Sequence, residues 1–158
     1  MNMQKTPPRS TGFGILLNRA FGAFKSELHA ALAEQGFEDL GPSFGYVFRL
    51  LDGAEPSLRE LSEQLGMTPQ GALKIVSDMV AKGYVERTVD DTDARVTRLV
   101  LTKRGRQALS AAKRFHTRFE ARVRRRLGSA RVSAARAVLE SIVAEVQDDG
   151  FADAARPF

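Results

Sequence analysis

The stretch from Ser57 to Thr102 constrains the fold more than any other part of the chain. It contains two short helical patterns split by a tight break, followed at once by two β-branched runs. Ser57-Leu58-Arg59-Glu60 has the spacing of a capping box, in which the serine oxygen takes a free helix N–H and the glutamate reaches back. The first helix runs from there to Leu65, and Gly66 breaks it. Thr68-Pro69 then supplies an N-cap and a proline at the first helical position, where its missing N–H costs nothing. The second helix ends at Gly83. Its apolar residues Ala72, Leu73, Ile75, Val76, Met79 and Val80 are expected inside, with Gln70, Gly71, Lys74, Ser77 and Asp78 outside. Tyr84–Val89 and Val96–Leu101, joined by the turn formers Asp90, Asp91, Thr92 and Asp93, read as a β-hairpin. Two helices meeting at a tight turn and backed by a hairpin make a winged helix-turn-helix.

The flanks are helical. Phe13, Leu16, Leu17, Ala20, Phe21, Phe24, Leu28, Ala31 and Leu32 recur at helical spacing before Gly36, and Phe44, Val47, Phe48 and Leu51 form a shorter repeat. After Thr102, a helix carries Leu109, Ala112, Phe115, Phe119, Val123 and Leu127 on one stripe. Beyond Gly128, another carries Val132, Ala135, Val138, Leu139, Ile142, Val143 and Val146. The expected fold is mainly α with a small β-hairpin wing. Its expected divisions are an arm at 1–10, N-terminal helices at 11–55, the winged lobe at 56–102, C-terminal helices at 103–147 and a tail at 148–158. The apolar stripes of the first and last two helices exceed what one small lobe can cover. They suit dimerisation, although a monomeric bundle satisfies the same pattern.

Composition removes several chemistries. The 158-residue chain has no cysteine, so disulfides, thiolate metal sites and thiol switches are excluded. His29 and His116 lack metal-ligand spacing, and Asp90, Asp91 and Asp93 lack that of a calcium loop, so neither metal nor cofactor is expected. No Ser/His/Asp arrangement or phosphate-cradling glycine loop is present, which argues against an enzyme. The start lacks a secretory apolar stretch and no run is long enough to span a bilayer, so a cytoplasmic protein is expected. Net charge is +5, and from Lys103 to Arg136 there are 12 basic residues against the single Glu120. Such a surface suits a polyanion.

In a winged helix-turn-helix, the second helix has a polar N-terminal half that enters the major groove of a DNA duplex. Gln70 suits adenine, Lys74 suits guanine or phosphate, and Thr68 with the free N–H groups beside it suits phosphate. Gly71 and Ser77 share that outer face. The same fold also serves as a protein-binding module without DNA, and that alternative stays open here.

From Ser57 to Gly105 the chain resembles MarR-type transcriptional regulators, whose hairpin has the form D-x-x-D-x-R followed by L-T-x-x-G. Asp90, Asp93, Arg95, Leu101, Thr102 and Gly105 stand at those positions, and Lys82-Gly83-Tyr84-Val85-Glu86-Arg87 is similar to the family's K-G-[LY]-[VI]-x-R. The resemblance implies a homodimer on a palindromic operator, with Arg95 in the minor groove and Asp93 steadying it. It implies a repressor released by a small aromatic or phenolic ligand, for which Arg19, Phe44, Phe48, Arg114 and His116 are the candidate contacts. Two positions depart from the family pattern: Asp91 replaces a common proline and Ala94 a common arginine. Arg98 is expected to compensate as a DNA contact if strand alternation turns it outward.

Overall fold

The computed structural model describes residues 11–148, without the side chains of 146–148. The arm expected at 1–10 and the tail beyond Asp148 lie outside the described residues. Among the described residues six helices and two strands follow in the order α1 (Phe13–Ala33), α2 (Phe44–Leu50), α3 (Leu58–Gln64), α4 (Pro69–Ala81), β1 (Val85–Val89), β2 (Thr97–Leu101), α5 (Lys103–Leu127) and α6 (Ser129–Asp148). The architecture is mainly helical with a two-stranded antiparallel wing. The chain divides between Glu38 and Asp39 into two compact units. α2 therefore falls in the second unit, packed on α5, where the sequence groups it with α1.

In the first unit α1 ends at Ala33, and Gly36 takes a left-handed φ of 85° in the turn that follows. Phe13, Ile15, Leu16 and Phe21 are exposed on this helix. In the second unit both expected caps form. Ser57 and Glu60 make a reciprocal capping box on α3, and the Thr68 hydroxyl accepts the Gly71 N–H at 3.1 Å with Pro69 opening α4. Ala72, Val76 and Met79, three or four residues apart, bury one face of α4 completely, and Leu61 of α3 is equally enclosed. Burial of each such large side chain stabilises the fold by about 1.5–3 kcal/mol. Leu73 departs from expectation: at 41% exposed it stands on the outer side of α4. A stripe centred on Ala72, Val76 and Met79 turns position 73 away from the core.

The strands pair Val85 with Leu101 and Val89 with Thr97, so Val85, Leu99 and Leu101 face the core. A single bridge joins Ser57 to Arg98, and the Leu99 N–H donates to the Pro56 carbonyl at 2.9 Å, tying β2 to the entry of α3.

The start of α5 is pressed against the other end of the wing. Thr102 caps the helix by accepting the Gly105 N–H at 3.0 Å and donates its own hydroxyl proton to the Gly83 carbonyl at 2.6 Å. The buried face of α5 is Gly105, Ala108, Ala111 and Phe115, with Leu109 and Ala112 only half-buried and Leu127 exposed, an offset from the expected stripe. Close approach selects the small residues. A Cβ at position 105 would lie 2.1 Å from the Tyr84 carbonyl oxygen. Gly105→Ala is therefore expected to destabilise the protein by about 2 kcal/mol or more, as overpacking does. Thermal denaturation checks this: an unchanged melting temperature means the α5–Tyr84 contact yields without cost.

Candidate nucleic-acid interface

α4 presents Gln70, Lys74 and Ser77 on one exposed face, at intervals of four and three residues that stack side chains along a helix. Thr68 and Pro69 are exposed at its first turn, where unpaired N–H groups gather partial positive charge. The Thr68 hydroxyl oxygen is occupied as the cap, which leaves its proton to donate outward. Any side chain at Gly71 would press on that hydroxyl, since a Cβ there meets Thr68 Oγ1 at 3.3 Å. Leu73 joins this polar face as an exposed apolar residue. Ser77 is bound from the wing: its hydroxyl oxygen accepts from Arg87 Nη2 on β1 at 3.3 Å. Arg87 is thus an exposed cation at the seam between helix and hairpin, which the sequence marks only as one letter of the family stretch.

Carboxylates build the tip of the hairpin. Asp90 Oδ1 accepts the Thr92 N–H at 2.8 Å, the Thr92 hydroxyl at 2.5 Å and the Asp93 N–H at 3.0 Å. Asp93 Oδ1 accepts the Arg95 N–H at 3.0 Å, while the Arg95 Nε lies 3.9 Å from the same oxygen. Asp93 therefore holds the backbone of Arg95 more closely than its guanidinium. The Arg95 side chain is 95% exposed and projects from the turn. Asp91 is exposed beside it.

Arg98 is turned inward instead of outward. It is 29% exposed, its Nε donates to Asp90 Oδ2 at 2.5 Å, and its Nη1 donates to Glu60 Oε2 at 2.9 Å. The same Glu60 oxygen accepts the Ser57 N–H at 2.7 Å as half of the α3 capping box. The hydrogen bonds from Thr92, and next those from Arg98, hold the Asp90 carboxyl well below the usual carboxylate range. Nothing in the local sequence signals Glu60 as a wing partner, because the pairing spans 38 residues.

The residue types on this surface suit a duplex: amide, ammonium and methyl groups on an exposed helix face, and a guanidinium at the end of an adjoining hairpin. The MarR family matches residues 39–96 of the chain. The transcriptional repressor CouR, bound to a 23-mer DNA duplex, has the same fold at a TM-score of 0.67 and 26% identity, over 90% of this chain and 99% of that one. The winged helix-turn-helix of this chain is thus similar to that of the MarR family of transcriptional regulators. A MarR-family protein of Mycobacterium tuberculosis, Rv2887, in complex with p-aminosalicylic acid, matches at a TM-score of 0.56 and 26% identity, over 84% of this chain and 98% of that one. The exopolysaccharide II synthesis transcriptional activator ExpG of Rhizobium meliloti is 28% identical over 92 residues, which is 58% of this chain. The chain spans 47% of the length of that relative. No helix among the described residues is long and apolar enough to cross a membrane.

Of the five residues expected to meet an effector, two are buried and three are exposed. Phe44 and Phe48 are 3% and 4% exposed, in edge-to-face contact with each other at 6.4 Å and with Tyr84 at 5.9 and 5.7 Å. Both are core packing. Arg19 is exposed on α1, in the first unit, and Arg114 and His116 are exposed on α5. A cleft of about 490 Å³ in the second unit is lined instead by Leu51, Ala54, Val100, Leu101 and Leu109, with Lys113 paired to Asp52 at its edge. His116 lies against Phe115, and partial burial, with the Arg49 charge nearby, lowers its pKa. A histidine more acidic in the folded state stabilises that state while neutral. Its contribution is complete above the unfolded value of about 6.5 and declines as pH falls below it. His116→Gln is expected to lessen the loss of thermal stability between pH 7 and 5.5, a window above ordinary carboxylate titration; identical slopes in both proteins exclude this role.

Proposed function

We propose that this chain is a MarR-family regulator, a cytoplasmic homodimeric repressor that grips a palindromic operator with α4 in the major groove and the wing in the adjoining minor groove. The observation that carries this reading is the pairing of an exposed Gln70–Lys74–Ser77 face on α4 with an exposed Arg95 at the tip of a hydrogen-bonded turn. Gln70 suits bidentate pairing with adenine and Lys74 suits guanine or phosphate. The methyl groups of Leu73 suit the 5-methyl of thymine, the one apolar feature of the major-groove code. Arg95 suits a narrow minor groove, whose negative potential draws a cation.

Exposed Phe13, Ile15, Leu16 and Phe21 on α1, with Val138, Leu139 and Val143 on α6, support a second copy of the chain as partner. A two-fold dimer presents its reading helices to half-sites about one helical turn apart, roughly 34 Å. Repression is favoured over activation because the repressor CouR is matched over 99% of its length and the activator ExpG over 47%. The ligand class with most support is a small aromatic acid, on the strength of the salicylate-type complexes of the mycobacterial relative. Such a ligand releases DNA by binding better to a dimer whose reading heads no longer match the operator spacing. Arg114 and His116 on α5 are the candidate contacts retained, while Phe44 and Phe48 act through the core.

The test is selection of bound duplexes from a random pool, then titration of the winner across salt. Lys74→Ala and Arg95→Ala are each expected to lower affinity about tenfold, within the 1–3 kcal/mol of a specific base contact. Replacing thymine by uracil in the selected site is expected to weaken the natural protein and to leave Leu73→Ala unaffected. Recovery of no sequence above background at low salt overturns the DNA reading in favour of a protein-binding winged helix. Val138→Asp is expected to shift the sedimenting species from dimer toward monomer; a monomer before substitution overturns the dimer.

A further inference from the structure

Arg98 has the composition of a DNA contact and the geometry of something else. Its guanidinium joins two carboxylates that do different work. Asp90 gives Oδ2 to Arg98, and its other oxygen gathers the Thr92 N–H, the Thr92 hydroxyl and the Asp93 N–H that close the wing turn. Glu60 gives Oε2 to Arg98 while that oxygen also holds the Ser57 N–H of the α3 cap. An unbroken run of polar contacts thus leads from the first turn of α3, through Arg98 and Asp90, to the turn whose Asp93 fixes the Arg95 backbone. The backbone reinforces the route, since Arg98 bridges Ser57 and Leu99 donates to Pro56. α3 in turn packs on α4.

We infer that Arg98 serves DNA recognition as a positioning residue: through Glu60 and Asp90 it sets the angle of the wing to the helix-turn-helix, and so the spacing between Arg95 and the reading face of α4. This rests on the DNA-binding reading above. A hairpin joined to its lobe by two strands alone pivots about its root, and a charged contact across that root removes the pivot. Both arms of the contact are charge-assisted hydrogen bonds, the stronger class, and Asp90 is largely withdrawn from solvent at 12% exposed. Arg98 thereby gives up phosphate contact for wing geometry.

Two substitutions separate this role from its neighbours. Arg98→Gln removes the charge while keeping a hydrogen-bonding side chain. Asp90→Asn keeps an oxygen for the turn bonds that Oδ1 accepts and puts an amide NH2, which cannot accept, where Oδ2 meets Arg98. The probe is the duplex that the natural protein selects from a random pool. Each variant is expected to bind it roughly tenfold more weakly, within the usual coupling between contacting residues. Cleavage protection should be lost where the wing meets the minor groove and kept where α4 meets the major groove. In an Arg95→Ala background, Arg98→Gln is expected to add less than about twofold, because two changes acting through one contact do not add.

Amide exchange provides a readout without DNA. Thr92 and Arg95 should exchange faster in both variants while α3 and α4 amides keep their protection. The inference is overturned if the Arg95 and Arg98 losses multiply, or if Arg98→Gln lowers the salt slope by about one phosphate contact. It is also overturned if Arg98→Gln leaves affinity unchanged, or if exchange rises throughout α3 and α4, which makes Arg98 a general stabiliser. Failure of the natural protein to select any duplex is a different result and counts against the DNA-binding reading itself.

Discussion

The second unit is organised around Tyr84. Its backbone carbonyl accepts the Thr102 N–H at 3.1 Å and meets Gly105 closely enough to leave no room for a side chain. Its ring is fully buried and packs edge-on against Phe44 and Phe48 of α2. Its hydroxyl donates to Asp39, and Arg104 of α5 donates to both that hydroxyl and Asp39 at 3.0 Å while lying over the tyrosine ring. Burial, then the hydrogen bond to Asp39, pushes the phenol up to about 12, so it stays a neutral donor throughout the physiological range. One residue therefore joins the end of α4, the base of the wing, α2 and the first turn of α5.

The acidity of the wing has a local explanation. A turn that must project one arginine needs its own N–H groups satisfied, and a carboxylate accepts several at once. Asp90 uses one oxygen for the turn and the other for Arg98, so most of its charge is spent inside the protein. The cost to DNA attraction is small, because Arg95 stands farther out than the carboxylates that hold the loop.

Local punctuation made most of the fold legible. Ser57 with Glu60, Thr68 with Pro69, Gly83 and Thr102 each act within three or four residues, so their chemistry can be read before any tertiary contact is known. The outer face of α4 was legible for the same reason, apart from Leu73, which an apolar count assigns to the core. Contacts across long separations were not legible. Glu60 looks like an ordinary capping residue until β2 brings Arg98 beside it, and Arg98 looks like a free strand cation until then. The buried face of α5 shifted from its expected stripe because close backbone approach at Gly105 favours small residues, and periodicity rewards large apolar ones. Phe44 and Phe48 likewise appear as ligand contacts by residue type, whereas burial assigns them to packing.

Thr102 is the whole of the connection between β2 and α5: the strand ends at Leu101 and the helix starts at Lys103. With its amide on Tyr84, its hydroxyl proton on Gly83 and its oxygen capping the helix, this joint has no slack. α5 behaves mechanically as a stiff boom mounted on the winged lobe. Its 25 residues reach about 37 Å at 1.5 Å each, so a tilt of about 5° is a displacement of roughly 3 Å at the far end. By the same leverage, a small shift imposed at the distal arginines, where charge is densest, becomes a rotation of the wing and α4 together.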